Sequence, residues 1–332
     1  MKKVSLFLIG LLIVPSLFLS SCDRGDDNID VVAEPAFTRL TSYMESNNLD
    51  LNNILVNLDG KKFVTKAPNP DDLQDFLNSY YIIDIRSADA FNAGHIQSAK
   101  NVAFGDILTE APNANGQPIL VVCYTGQTAC YATSLLRLYG YPSTQALKWG
   151  MSGWNQTTAG PWDSNIGDEA NGHSNWSYSA PPSNISFEDP ELAGYTSSGE
   201  NLLRARVEEV VAAGFKGVNG TDVLNSPGSY FINNYFNETD YNGFGHIANA
   251  YRILPLLLSD DSYSYLNPQT NAQVVTYCYT GQTSAVITAY LRVLGYDAYS
   301  MKFGMNGIFN SNPQWSTNQW GGDSHPKDLG LE

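Results

Sequence analysis

The stretch that decides the fold is PILVVCYTGQTA at residues 118–129, which recurs as VVTYCYTGQTS at residues 274–284. The two copies align Cys123 with Cys278 and share the hexapeptide CYTGQT. A run of β-branched and apolar residues precedes each cysteine, as in a buried strand of a parallel sheet. Self-similarity on this scale within one chain predicts two domains of the same fold.

The likeness between the copies continues beyond the cysteine. LRLYGY at 136–141 is matched by LRVLGY at 291–296. LKWGMSG at 147–153 is matched by MKFGMNG at 301–307, after one deleted residue. The repeat therefore covers a whole structural unit rather than a short motif.

Each cysteine is predicted to lie between a strand and a helix. Apolar residues recur at helical spacing behind it, and Gly140 and Gly295 end the two helices. In open α/β sheets the carboxyl ends of the strands are where ligands bind. We therefore expect the functional site at Cys123 and Cys278.

The loop after each cysteine is suited to hold a negatively charged sulfur. The thiolate is the nucleophilic form of cysteine, so a reactive cysteine needs a lowered pKa and nearby donors. A loop that wraps the sulfur and enters a helix supplies inward N–H groups and the positive end of the helix dipole. The candidate substrate- and anion-binding residues are Tyr124, Thr125, Gly126, Gln127 and Thr128 in the first copy and Tyr279, Thr280, Gly281, Gln282 and Thr283 in the second. Such a loop needs no metal and no cofactor.

The pattern Cys-x-x-Gly-x-Thr-Ala resembles the active loop of rhodaneses and mercaptopyruvate sulfurtransferases. The stretch IDIRSADAFNAGHIQSAKNV at 83–102 is similar to the family's upstream signature. The segments KWGM at 148–151 and KFGM at 302–305 match its last strand and turn. The resemblance implies an α/β fold with two rhodanese-like domains, each a mainly parallel sheet of about five strands with helices on both faces.

The resemblance also implies the chemistry. A donor such as thiosulfate or mercaptopyruvate would leave a sulfane sulfur on Cys123 or Cys278 as a persulfide. A thiol or cyanide acceptor would then remove that sulfur. The partners are thus a small sulfur donor and a small acceptor.

Other residues of the family pattern are expected to be structural. Asp84 and Arg86 are expected to support the first strand and the helix after it. His95 and His246, at matched places in two Gly-His-Ile segments, are expected to be structural as well, with a general base as the alternative. Cys130 is predicted to lie in the core, with a resolving thiol as the alternative.

The sequence departs from the family in three respects. Basic residues that often follow the cysteine in thiosulfate enzymes are replaced by tyrosine and threonine, which leaves the donor open. Thr128 and Thr283 replace a loop arginine, so anion binding rests on backbone donors and phosphate-ester chemistry is disfavoured. Asn234, Tyr235 and Phe236 or Asn237 stand where the Asp-x-Arg pattern would recur. Both cysteines remain candidates.

The first residues read as a targeting segment. Lys2 and Lys3 precede an apolar run at 4–19, and LSSC at 19–22 resembles the lipobox of bacterial lipoproteins. We predict a signal peptide at 1–22 with a lipidated Cys22, which would anchor the protein to the membrane on the extracytoplasmic side of a bacterial cell envelope. The alternative is an ordinary signal peptide or membrane anchor, in which Cys22 would be incidental.

The remaining chain divides into five predicted parts, each domain being long enough to bury its own core. They are a tether at 23–38, a first domain at 39–160, a linker at 161–200, a second domain at 201–322 and a tail at 323–332. The net charge of −15 argues against a nucleic-acid-binding protein. It also opposes the entry of anionic substrates, unless the site carries a positive potential of its own.

Three function classes are compatible with this sequence. The first is a sulfurtransferase, and the second is a non-catalytic lipoprotein that binds or senses sulfur species or a protein partner. The third is a redox protein that exchanges disulfides, against which the lack of a Cys-x-x-Cys pair counts. Addition of one sulfur atom to each cysteine would identify the first class.

Overall fold

The computed structural model describes residues 34–56, 61–269 and 271–332. The predicted signal peptide, Cys22 and most of the tether lie outside the described residues. Within those ranges, no helix combines the length and apolar character needed to cross a membrane. Helix α1 (Ala36–Ser46) takes in the last residues of the segment predicted as a tether.

The first half and the segment that follows it contain short strands between helices. The helices after α1 are α2 (Leu51–Leu55), α3 (Leu73–Asn78), α4 (Ala88–Asn92), α5 (Ile107–Glu110), α6 (Gln127–Tyr139), α7 (Gly150–Trp154) and α8 (Gly160–Asp163). The strands are β1 (Val64–Thr65), β2 (Tyr81–Asp84), β3 (Lys100–Asn101), β4 (Ile119–Val122), β5 (Gln145–Leu147) and β6 (Trp176–Ser177).

The second half repeats this order. Its helices are α9 (Gly199–Ala213), α10 (Gly220–Asn225), α11 (Glu238–Phe244) and α12 (Gln282–Leu294). Its strands are β7 (Gly217–Val218), β8 (Phe231–Asn234), β9 (His246–Ile247), β10 (Val274–Tyr277) and β11 (Ala298–Met301). Short 3₁₀ helices cover Pro70–Asp72, Phe104–Asp106, Ala111–Ala114, Gln156–Thr158, Pro227–Ser229, Ser262–Tyr265 and Gly304–Gly307.

The two main sheets have the same topology. The first has the order β1-β5-β4-β2-β3 and the second β7-β11-β10-β8, with every pair parallel. The place of β3 is taken in the second sheet by a single parallel bridge between Asn233 and Tyr251. Strands β6 and β9 form a separate antiparallel pair. These parallel sheets with their helices confirm the predicted α/β fold with two similar domains.

The strand and helix around Cys123 follow from local sequence. All residues of β4 are buried, as the β-branched run predicts for a central parallel strand. Helix α6 ends at Gly140, whose φ of 117° is unfavourable for other residues. The N–H of Tyr141 then bonds the carbonyl of Leu136 at 2.9 Å, which caps the helix.

One large cluster of buried residues is shared by the two halves, beside a smaller cluster that belongs mainly to each half. Helices α6 and α12 pack against each other, as do α1 and α9, and one cluster of buried residues runs through all four. The buried Asp50 accepts hydrogen bonds from Leu258 N (3.0 Å) and from Tyr290 Oη (3.3 Å) in the other half. The halves therefore meet along the helices that follow the two cysteine loops, α6 and α12.

The predicted linker and tail are both packed segments. In the linker, Trp162 is fully buried, and Ala170 N donates to Ile308 O at 2.9 Å. The tail lies against the first half, where Leu329 N donates to Trp154 O at 2.9 Å. These contacts join residues far apart in the chain, so local composition does not predict them.

Candidate active site

The sulfur of Cys123 sits inside the predicted loop. The residue follows the last residue of β4, and its side chain is buried. Its Sγ accepts hydrogen bonds from Gly126 N at 3.1 Å and from Ala129 N at 3.3 Å. Gly126 has a φ of 85°, the left-handed conformation that turns the loop back toward the sulfur. The loop thus forms a cradle of backbone donors around Cys123.

The turn after β5 holds this cradle in place through backbone hydrogen bonds. Met151 N donates to Cys123 O at 2.8 Å, and Ser152 N donates to Tyr124 O at 3.0 Å. A Cβ atom on Gly150 would overlap with Cys123 O, so the loop requires glycine there. The third sequence motif is therefore the base of the cysteine loop.

The second cysteine has a different set of donors. Ser284 N donates to Cys278 Sγ at 3.4 Å, and the Ser284 hydroxyl lies 3.7 Å from the same sulfur. Ser284 Oγ is in turn 2.8 Å from Ser300 Oγ. Sequence comparison of the two copies missed this pair, although the change from Ala129 to serine was its visible signal. Cys278 thus has one amide contact and one hydroxyl contact.

The expectation of a lowered thiol pKa is wrong for Cys123. Burial raises the pKa of this thiol above its ordinary value, because the charged form loses its hydration. The N–H groups of Ala129, Thr125 and Gly126 lower the pKa, but less than burial raises it, and the Asp84 carboxylate raises it further. The cradle therefore reduces the cost of forming a thiolate without removing it.

The two cysteine loops meet at the interface between the halves. Gln127 Oε1 accepts from Phe303 N of the opposite half at 2.8 Å. Gln282 Nε2 reaches back to Thr125 O at 3.5 Å, and Trp162 Nε1 donates to the same carbonyl at 3.1 Å. Each glutamine therefore contacts the opposite half.

The threonine hydroxyls are only partly available as anion donors. Thr125 Oγ1 accepts from Gln127 Nε2 at 3.1 Å, and Thr280 Oγ1 accepts from Gln282 N at 3.2 Å. These two hydroxyl groups therefore stabilise the conformation of the loops. Thr128 and Thr283, one position further on, are half-buried.

Tyrosines form the outer rim of both loops. The Tyr124 hydroxyl lies 3.0 Å from Ser87 Oγ, and its ring faces the Arg86 guanidinium at 5.8 Å. Tyr279 donates to the Asp240 carboxylate and stacks on Phe236 with ring centroids 4.6 Å apart. Burial raises the pKa of Tyr279, so its hydroxyl stays a donor.

The Asp84 and Arg86 side chains form a buried ion pair. Arg86 Nη2 lies 2.6 Å from Asp84 Oδ2 and also donates to Gly94 O at 2.8 Å. Strand register places Asn234 where Asp84 stands in the first half. Asn234 Oδ1 accepts from Phe236 N at 2.8 Å, as Asp84 accepts from Arg86 N. The second half thus keeps the backbone contact without the charges.

The two matched histidines pack inside the domains. His95 stacks on Phe91 with its Nδ1 3.0 Å from Phe91 O. His246 stacks on Tyr241 with its Nδ1 3.4 Å from Tyr241 O. Burial lowers the pKa of His246. Their contacts are those of structural side chains.

Cys130 is a buried thiol on helix α6, as predicted for a core residue. Burial raises its pKa well above the ordinary value, and negative charge on Cys123 or Cys278 would raise it further. That charge on either cysteine loop would act on Cys130 was not evident from the sequence. In the part of the chain that the structure describes, no three His, Cys, Asp or Glu residues are grouped as metal ligands would be.

Comparison with known proteins identifies the class. The family model for the rhodanese-like domain matches residues 69–157 and 236–311 of this chain. The thiosulfate sulfurtransferase GlpE of Shewanella oneidensis is 33% identical over 82 residues, which is 24% of this chain and 81% of that protein. GlpE of Pseudomonas putida is 34% identical over 77 residues, covering 23% of this chain and 70% of that protein. The chain belongs to the rhodanese-like family and carries two such domains in tandem.

Two solved structures of sulfurtransferases are similar to longer parts of this chain. A thiosulfate sulfurtransferase from Pseudomonas aeruginosa is 15% identical, with a TM-score of 0.28, over 84% of this chain and 49% of that one. A 3-mercaptopyruvate sulfurtransferase from Leishmania major is 13% identical, with a TM-score of 0.27, over 74% of this chain and 73% of that one.

Proposed function

We propose that this protein is a sulfurtransferase that carries sulfane sulfur as a persulfide on Cys123. The observation that carries the proposal is the pair of backbone N–H groups, from Gly126 and Ala129, directed at the Cys123 sulfur. Membership of the rhodanese-like family supports it, and so do the thiosulfate sulfurtransferases among its relatives.

The reaction needs only the thiol and its cradle. With thiosulfate, the Cys123 thiolate attacks the outer sulfur, the sulfur–sulfur bond breaks, and sulfite leaves with the bonding electrons. With mercaptopyruvate, the Cys123 thiolate attacks the sulfur and the carbon–sulfur bond breaks. The carbon keeps the bonding electrons and takes up a proton to give pyruvate. An acceptor thiolate or cyanide then attacks the outer sulfur of the persulfide and releases the Cys123 thiolate. The N–H donors of the loop stabilise the anionic sulfur at the start and end of this cycle.

Cys278 is proposed as a second, weaker carrier. Its sulfur receives one backbone N–H, from Ser284, in place of the two at Cys123. The Ser284 hydroxyl, held by Ser300, supplies a further polar contact. We expect the sulfur load at Cys278 to form more slowly than at Cys123.

The test is mass spectrometry of the protein after incubation with thiosulfate or with mercaptopyruvate. We expect a gain of one sulfur atom on the Cys123 peptide, lost in Cys123→Ser, and a slower gain on the Cys278 peptide, lost in Cys278→Ser. Cys130→Ser is the matched control and should leave both gains in place. No adduct with either donor would refute the enzymatic proposal.

A non-catalytic sulfur-binding protein is the second candidate. Both sulfurs are almost fully buried, at 3% and 2% exposure, and burial raises the pKa of Cys123. These features favour a thiol that binds a partner without reacting. Reversible binding of thiosulfate without any covalent adduct would support this class.

We also propose that lipid on Cys22 holds the protein at the extracytoplasmic side of a bacterial envelope. The apolar run at 4–19 and the small residues before Cys22 support this. Cys22→Ala should move the protein from the membrane fraction to the soluble fraction. Unchanged fractionation would contradict the anchor.

A further inference from the structure

A cavity of about 480 Å³ lies between the two halves, against the second cysteine loop. Its lining includes Thr280 and Thr283 of that loop, Lys62 and Lys148 of the first half, and Cys130. The volume falls within the range of sites for small organic molecules, roughly 300–1,000 Å³. The cavity is therefore larger than cyanide or a simple sulfur oxyanion needs.

Aliphatic side chains also line this cavity. Val64 lies on the edge strand β1 of the first sheet, and Val286 lies on helix α12. The lining thus combines lysines of the first half, threonine hydroxyls of the second cysteine loop and aliphatic side chains. An organic molecule with a charged group at one end matches this distribution.

The lysines of this cavity also line a second cavity of about 450 Å³. The two cavities share Lys62, Val64 and Lys148, and the second adds Lys61 and Lys66. Four lysines thus lie around one strand edge, in a chain with 18 basic and 33 acidic residues. This group, Lys61, Lys62, Lys66 and Lys148, is called the lysine entrance below.

The lysine entrance carries little local compensation. None of the ion pairs within the described ranges involves its members. Lys148 Nζ donates to Asn318 Oδ1 at 2.6 Å, which fixes the ammonium at the cavity wall. Burial and the neighbouring Lys66 lower the pKa of Lys148, whereas the Asp323 carboxylate raises it. A bound carboxylate would supply the missing counter-charge.

We propose that this cavity binds the sulfur acceptor, and that the acceptor is an organic thiol bearing one or more carboxylates. The carboxylates would face Lys62 and Lys148, the carbon body would lie along Val64 and Val286, and the thiol would point toward the loop of Cys278. The inference rests on the proposed sulfurtransferase function. It gives the acidic protein a local positive field through which an anionic acceptor enters.

The test compares the full-length protein with the variant K62Q/K148Q, using S-methylmercaptosuccinate as an unreactive dicarboxylate probe. Titration calorimetry should show binding to the wild type and about tenfold weaker binding to the variant. Added salt should weaken the wild-type binding, because the lysine entrance is open to solvent. Equal affinity in both proteins, or no binding to the wild type, overturns the inference.

The repeat offers a matched control. Lys302 stands at the position of Lys148 in the second copy and lines a different cavity. K302Q should bind the probe as the wild type does, and K148R should keep the affinity because it keeps the charge. Loss of binding in K302Q, or in K148R with an unchanged melting temperature, would refute a specific charge effect.

A second readout separates this inference from the function on which it rests. The Cys123→Ser variant, loaded with a persulfide at Cys278, is discharged with mercaptosuccinate or with neutral 2-mercaptoethanol, and the ratio of the two rates is measured. We expect K62Q/K148Q to lower the ratio. If the persulfide forms but the ratio is unchanged, the inference alone fails. If no persulfide forms while the probe still binds, the proposed function fails and the anion site stands.

Discussion

At Cys123, two opposing effects act on one sulfur. The cradle directs N–H groups at it, while burial at 3% exposure removes water from it. The net result is a raised pKa, so most of this thiol is protonated near neutral pH. Reaction then depends on the fraction of thiolate, which grows with pH.

We expect the alkylation of Cys123 by iodoacetamide to speed up steadily between about pH 7 and pH 9. The rate should rise roughly tenfold per pH unit, because the thiolate fraction rises in that proportion below the pKa. Peptide mapping by mass spectrometry after timed labelling measures each cysteine separately. Free cysteine in the same mixture, whose rate levels off at lower pH, is the control. A rate independent of pH over this range would show that the thiolate already dominates.

The position of Cys123 and Cys278 in two matched loops could be predicted from the sequence, but the raised pKa of Cys123 could not. The hexapeptide and its glycine indicate a loop whose amides point inward, since that follows from local backbone geometry. The burial of Cys123 depends on packing between the halves, which lies beyond local pattern. The lysine entrance was missed for the same reason, because Lys62 and Lys148 meet only in the folded chain.

Among the elements, the turn between β5 and α7 has the strongest influence on the first site. Trp149 has a φ of 68° and Gly150 a φ of 59°, so two successive residues are left-handed. The turn then offers the N–H of Met151 to the carbonyl of Cys123. The position of the sulfur is thereby tied to a segment nearly thirty residues further along the chain.

We expect Gly150→Ala to destabilise the protein by about 1–3 kcal/mol and to slow the loading of Cys123. The added Cβ would overlap with Cys123 O and push the cradle away from the sulfur. Thermal unfolding and the mass-spectrometric sulfur assay measure the two effects. Gly105→Ala is the matched control, since open space surrounds that position. Normal loading in Gly150→Ala would show that the turn does not position the cradle.

Strand β4 and helix α6 are the elements that the sequence predicts best. A β-branched run and a glycine stop are local signals, and the structure follows both. The tail predicted at 323–332 is instead docked, with Glu332 and His95 exchanging two backbone hydrogen bonds of 3.0 Å. Docking of this kind depends on a partner surface that no local pattern encodes.

At the scale of the whole molecule, the two halves are joined by a shared cluster of buried residues, and we expect them to unfold together. The main cluster of buried residues includes Leu135 of the first half and Ile287 of the second. The buried Asp50 carboxylate bridges the halves, because it accepts from Leu258 N and Ser259 N. Unfolding of one half would expose the part of the shared cluster that belongs to the other half.

We expect Asp50→Ala to lower the free energy of unfolding by roughly 2–3 kcal/mol, because buried donors in the second half lose a charged acceptor. Differential scanning calorimetry should show a single transition in both the wild type and the variant. Asp75→Ala, at an exposed helical position, is the control and should change stability little. Two separate transitions in the wild type would contradict the shared core.

The crossed glutamines have a consequence for engineering. Gln127 belongs by sequence to the loop of Cys123, yet its side-chain oxygen receives the N–H of Phe303, in the turn that supports the loop of Cys278. Grafting a new hexapeptide onto one copy would therefore disturb the sulfur chemistry of the other copy. A change in the reactivity of one cysteine therefore requires the redesign of both cysteine loops.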